Sequence, residues 1–185
     1  MPKSKALVAI GLGSNLGARQ EELVAAIGAL AGVVTEIKVG GLYESEAMGD
    51  RDDPRYLNSA LVGRTHLPSE PLLAVLKFLE LKAGRRRGRR WGPRPLDLDL
   101  LLYGDEVATT PELTLPHSQL TRRPFVLAPL ADVAPGLAVP PLGQTVAELL
   151  ARLDTTGLER FDWSVPAYQA PPADCYPAPD PGDEG

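Results

Sequence analysis

One cysteine, Cys175, stands in 185 residues. Neither a disulfide framework nor a cysteine-rich zinc site can hold this chain together. Long hydrophobic runs are missing as well, and no apolar stretch approaches the ~20 residues of a membrane-spanning helix. Positive charge is not in excess: 19 Lys and Arg stand against 24 Asp and Glu, a formal net charge of -5. The chain as a whole therefore does not bind polyanions by bulk charge. The segment GLGSNLG at 11–17 lacks the closing Lys-Ser/Thr of a P-loop. It also carries Leu16 where a G-x-G-x-x-G fingerprint needs its third glycine. No internal repeat is present. The opening MPKSKALVAIGLG has too short an apolar part for a signal peptide and reads as a first strand. These absences point to a reducing, cytoplasmic setting.

What is present fits one globular domain. Hydrophobic residues make up 44% and charged residues 23%, enough for a proper core at this length. Residues 6–10 form a short apolar run, and GLGSNLG reads as a turn in which Asn15 bonds backbone. Helical spacing of Leu23, Ala26, Ile27 and Leu30 predicts a helix over about 19–30, capped by Ser14 or Asn15. Strands are expected at 33–39 and 56–63, and a helix at 68–83 closed by Gly84. A strand over 96–103 follows, with a turn at Gly104. Residues 124–131 suit either a helix or a strand, and 145–153 a last helix capped by Gln144 or Thr145. From residue 165 onward prolines crowd and core-forming residues thin out. The expected division is a domain over 1–164 and an extended, poorly ordered tail over 165–185. Mixed strands and helices suggest an α+β sandwich with helices packed on one sheet.

The most informative stretch is RRRGRRWGPRPLDLDLLLYG, 85–104. Five arginines fall within six residues, Arg94 follows, and two aspartates interrupt an apolar run. Side chains alternate along a strand, so Leu96, Leu98, Leu100 and Leu102 share one face. Asp97, Asp99 and Leu101 share the other, with the aspartate Cα atoms about 6–7 Å apart. Two readings are open. The aspartates could pair with nearby arginines on a solvated strand. Alternatively they could hold Mg²⁺, which favours one or two carboxylates completed by phosphate oxygens and water. The arginines favour the second, because their planar fork suits phosphate. Arg85, Arg90 and Arg94 beside two carboxylates make a candidate polyphosphate site.

RWGPRPLDLDLL, 90–101, resembles the signature of the 6-hydroxymethyl-7,8-dihydropterin pyrophosphokinases. GLGSNLG, the YLN of 56–58 and LPHSQLTRRPFVLAPLADVAP at 115–135 are similar to that family's other blocks, in its order and spacing. The resemblance spans roughly residues 5 to 160. It implies a ferredoxin-like α+β sandwich, mainly an antiparallel sheet with helices packed on it. It implies ATP as co-substrate, a dihydropterin acceptor, AMP as product and two Mg²⁺ ions. By matching motif, Asp97 and Asp99 would be the metal ligands. Arg85 and Arg94 would hold the phosphates and act in catalysis, and His117 and Arg123 would contact ATP. Ser45, Tyr56, Asn58, Trp91 and Phe125 would form the pterin site, with Trp91 on a loop that closes over the substrates. Glu80 looks like the family's helix acid before the arginine loop. No residue stands out as a general base.

The match has departures. YESEAMG, 43–49, carries Glu46 and Ala47 where the family often has prolines, and Ser118 follows the histidine where Pro or Tyr is frequent. A monomer is expected, with no membrane or nucleic-acid partner. The rival readings are a nucleic-acid module built on the run from Arg85 to Arg94 with Trp91, and a structural or partner-binding domain presenting the Pro-rich tail. Carboxylates within the basic segment count against the first, since without a metal they repel phosphates.

Overall fold

The computed structural model describes residues 5–47, 53–84, 93–161 and 163–165. Strand β1 (Ala6–Ser14) leads into helix α1 (Arg19–Leu30), then β2 (Thr35–Val39), β3 (Leu42–Ser45) and β4 (Tyr56–Thr65). Helix α2 (Ser69–Lys82) and strand β5 (Asp97–Tyr103) follow. Two short hairpins, β6 (Ala108–Thr109) with β7 (Thr114–Leu115) and β8 (Ala138–Val139) with β9 (Gln144–Thr145), flank helix α3 (Pro124–Val133). Helix α4 (Val146–Leu150) and strand β10 (Glu159–Phe161) complete the order.

The main sheet runs β10-β3-β4-β1-β5, with β2 also paired to β4. Every pairing in it is antiparallel. β2 and β3 lie end to end along one edge of β4, so together they act as one bent strand. With that equivalence the order is the βαββαβ arrangement of a ferredoxin-like sandwich. Alternation along the strands separates two cores. Val8, Ile10, Leu12, Leu57, Leu61, Leu98 and Leu100 pack with Leu23 and Ile27 of α1 and Leu72 and Leu76 of α2. Ala9, Ala60, Val62 and Leu101 pack on the opposite face with Leu127 and Leu130 of α3 and Leu149 of α4. Trp163 and Val165 rest against the first core. Residues 166–185, on which the expectation of an extended tail falls, lie outside the described residues. Among the described residues no helix is long and apolar enough to cross a membrane.

Several expectations are corrected. GLGSNLG is not a turn through its length: Gly11 to Ser14 continue β1. Neither Ser14 nor Asn15 caps α1, whose N-cap is Ala18 without a side-chain bond. Strand β3 was not foreseen, because LYES has no apolar alternation and is held by its neighbours. Residues 124–131 are helical, opened by Pro124 at a position where its missing N–H costs nothing. Leu102 does not share a face with Leu98 and Leu100. The register with β1 runs Ile10 to Leu100 but Ala9 to Leu102, so Leu101 is the extra residue of a bulge. Leu101 faces the second core as its alternation predicts, and the bulge turns Leu102 there as well. The caps at Thr145 and the positive φ of Gly84 agree with expectation.

The bend between β2 and β3 requires Gly40. Its N–H donates to the Ala60 carbonyl at 2.8 Å, and its carbonyl accepts from Ser59 Oγ at 3.2 Å and Trp163 Nε1 at 3.1 Å. A Cβ here would collide with the Pro129 backbone of α3. Gly40→Ala is therefore expected to destabilise the fold by on the order of 1–3 kcal/mol. Urea denaturation measures this, and an unchanged midpoint would show that α3 is not seated on this glycine.

Candidate active site

The site is built across three strands. In the registers of the sheet, Gly13 of β1 lies between Asn58 of β4 and Asp97 of β5. One rung along, Gly11 lies between Ala60 and Asp99. The two glycines place no side chain between the amide and the carboxylates. Asn58 and Asp97 stand two strands apart, about 10 Å at ordinary sheet spacing. The space so opened is a cleft lined by Gly11, Gly13, Asn58, Asp97 and Asp99 among others.

One half of the cleft suits a flat heterocycle. Asn58 is buried, and its Nδ2 donates to Ser45 Oγ at 2.9 Å and to the Tyr43 and Tyr56 carbonyls at 3.3 and 3.4 Å. With its nitrogen so held, Oδ1 lies on the Gly13 side, 3.7 Å from where a Cβ on that glycine would sit. Tyr56 and Phe125 line the same cleft, the latter at the start of α3. The Arg123 guanidinium stands 5.9 Å from the centre of the Phe125 ring. Aromatic faces beside a fixed amide are what a planar ring with polar edges requires.

The other half is charged. Asp97 and Asp99 are only 26% and 28% exposed, yet both open on the cleft. Arg94 Nη1 donates to Asp97 Oδ1 at 2.8 Å. Burial works against the charge of Arg94, but the adjoining Asp97 carboxylate, with Tyr56 and Glu80 adding to it, outweighs that cost, so the guanidinium is held firmly cationic. Asp99 faces His117 Nε2 at 3.8 Å and Arg123 Nη1 at 3.9 Å, beyond hydrogen-bond reach. Pairing with arginine thus describes Asp97 well and Asp99 only loosely. Burial, with the nearby Arg123 adding to it against the opposing pull of Asp99, lowers the His117 pKa below the usual histidine value. His117 Nδ1 accepts the Gln119 N–H at 3.2 Å, so the neutral ring carries its proton on Nε2, toward Asp99.

The donor set fits Mg²⁺. Among the described residues no group of three or more His, Cys, Asp or Glu could hold a metal. Two carboxylates alone suit an ion that keeps waters and shares phosphate oxygens. They do not suit one enclosed by protein.

Of the residues singled out from the sequence, the cleft brings together Ser45, Tyr56, Asn58, Arg94, Asp97, Asp99, Arg123 and Phe125, with His117 against Asp99. Arg85 and Trp91 lie outside the described residues. Glu46, one of the two departures in YESEAMG, lines the cleft as well. The larger omission is Asn15. It is buried, its Oδ1 accepts the Arg94 N–H at 2.8 Å, and its own N–H donates to the Arg94 carbonyl at 3.2 Å. Its Nδ2 donates to the Pro54 carbonyl at 3.0 Å. The backbone bonding expected of Asn15 is real, but it ties two distant segments to β1 and so sets where Arg94 stands. Only the pairing of an amide with an adjacent glycine strand hinted at this.

Comparison with known proteins identifies the family. The family model of 7,8-dihydro-6-hydroxymethylpterin-pyrophosphokinase (HPPK) matches residues 9–135, a span that holds every candidate site residue. The chain is similar to the 2-amino-4-hydroxy-6-hydroxymethyldihydropteridine pyrophosphokinase of Pseudomonas aeruginosa, 42% identical over 156 residues, 83% of this chain and 96% of the relative. It is similar also to the enzyme of that name from Methylorubrum extorquens, 39% identical over 155 residues, 83% of this chain and 97% of the relative. Among solved structures, Plasmodium falciparum HPPK-DHPS, wild type with pteroate, superposes with a TM-score of 0.61 at 14% identity, covering 80% of this chain and 42% of that one. At that identity the likeness speaks to the fold alone. Given the extent of the family match and the near-full-length relatives, this chain belongs to the 7,8-dihydro-6-hydroxymethylpterin-pyrophosphokinase family.

Proposed function

We infer that the cleft transfers the β,γ-pyrophosphoryl group of ATP to the hydroxyl of 6-hydroxymethyl-7,8-dihydropterin, giving the pterin diphosphate and AMP for folate biosynthesis. The observation that carries this reading is the shared cleft: an amide with aromatic rings at one end, two carboxylates with arginines at the other, and glycines between. Asn58 and Ser45 supply hydrogen bonds to the pterin edge, while Tyr56 and Phe125 supply its apolar flanks. Arg94, Arg123 and the Nε2–H of His117 face the phosphates. Arg85 and Trp91 take phosphate-holding and loop-closing roles by resemblance.

In the transfer, the hydroxymethyl oxygen bonds to the β phosphorus as the bond from that phosphorus to the α,β-bridging oxygen breaks. The bridging oxygen leaves on AMP, and the hydroxyl proton passes to solvent. His117 donates a hydrogen bond in this scheme and takes no proton, because Nδ1 is already engaged by the Gln119 N–H. Rate comes mainly from alignment and charge complementarity. Asp97 and Asp99 would hold two Mg²⁺ ions, which when bound offset the charge of the phosphates. The working unit in this reading is a monomer.

Product identity tests the activity. With Mg²⁺ and ATP, AMP is expected to form only when hydroxymethyl-dihydropterin is present, and ADP as the nucleotide product would instead mark a simple kinase. Asp97→Ala and Asp99→Ala are each expected to lower kcat by at least about 100-fold. Circular dichroism should report an intact fold in both, and wild-type turnover in either would remove the metal assignment.

A further inference from the structure

Helix α2 breaks its own pattern at one position. Leu72, Leu76 and Glu80 follow at intervals of four and form one core-facing stripe. The first two are fully buried leucines; the third is a carboxylate at 1% exposure. A buried carboxylate is costly unless it is bonded, and a rule broken in a core marks a site.

What Glu80 bonds is the backbone between the two aspartates. Its Oε1 accepts the Leu98 N–H at 2.8 Å. Lys77 Nζ donates to that same oxygen at 3.1 Å and to the Leu98 carbonyl at 3.0 Å. Among the described residues β5 is the edge strand of the sheet, paired to β1 on one side only. At Leu98 the helix thus supplies the acceptor and the donor that a neighbouring strand would supply. Glu80 also lies close enough to Arg94 to favour its charged form.

We propose that Glu80, with Lys77, is a positioning residue: it clasps Leu98 so that Asp97 and Asp99 project from β5 at the spacing the metal requires. A leucine at 80 would complete the apolar stripe. It would also leave the Leu98 N–H without its acceptor and Lys77 without its carboxylate, which lowers stability. Metal affinity in the folded protein, not stability, therefore distinguishes the clasp.

Glu80→Leu is expected to fold with a lowered melting point. Its kcat should fall about 10–100-fold, and Mn²⁺ affinity in the complex with a non-hydrolysable ATP analogue should fall by a similar factor, with the pterin KM within about threefold. Electron paramagnetic resonance reads the Mn²⁺ affinity independently of turnover. Folded Glu80→Leu with kcat and Mn²⁺ affinity within about threefold of wild type would overturn the proposal. A kcat loss with unchanged Mn²⁺ affinity and a raised pterin KM would do so too. Should this variant fail to fold, Lys77→Met, at a half-exposed position, decides on the same readouts. The inference rests on the metal reading of the aspartates. If Asp97→Ala leaves Mn²⁺ affinity unchanged, that reading fails; if Asp97→Ala weakens it and Glu80→Leu does not, only the clasp fails.

Discussion

The site depends on one alignment: Gly13 and Gly11 of β1 lie in register with Asp97 and Asp99 of β5 on one side and with Asn58 and Ala60 of β4 on the other. A sheet normally fills the space above such a rung with side chains from every strand. Here the middle strand contributes none, so the amide and the carboxylates face each other across an open floor. Backbone pairing sets that distance, and the pairing is held from below by Val8, Ile10 and Leu12 in the first core. Hydrophobic packing on one face of the sheet thus fixes the polar geometry on the other.

Charge is handled by the same economy of neighbours. Asp97 and Arg94 share a short hydrogen bond, and Asn15 holds the Arg94 backbone from both sides. Asp99 faces the neutral His117 ring and the Arg123 guanidinium at longer range and opens on the cleft. On the opposite face of β5 the Glu80–Lys77 pair takes up the edge of the strand. The two charged systems, one open and one buried, meet on the backbone of three consecutive residues.

Much of this was legible in the amino-acid chain. Period-2 alternation in LDLDLLLY put Asp97 and Asp99 on one face, and helical spacing placed α1 over its observed span. The remainder depends on long-range contacts. Glycines in GLGSNLG read as turn signals, yet in β1 their value is an absent side chain, which only the neighbouring strands reveal. The bulge at Leu101 inverts the alternation after that residue, and nothing local announces it. Strand β3 exists because β4 and β10 pair with it, not because LYES favours a strand. Asn15 and Glu80 act on backbone 79 and 18 residues away in sequence.

The central claim, that the glycine strand is the open floor joining the pterin end to the phosphate end, is tested most directly at Gly13. A Cβ there meets Tyr56, Asn58 Oδ1 and Asp97 only at ordinary contact distances of 3.6 to 3.8 Å, so the fold should accept a side chain that the cleft cannot. The measurement is calorimetric titration of hydroxymethyl-dihydropterin, in the presence of Mg²⁺ and a non-hydrolysable ATP analogue, into Gly13→Val. The account predicts a melting point near that of the wild type and pterin affinity weakened by at least about tenfold, the cost of roughly 1.4 kcal/mol of lost fit. Wild-type pterin affinity in the folded variant would contradict it.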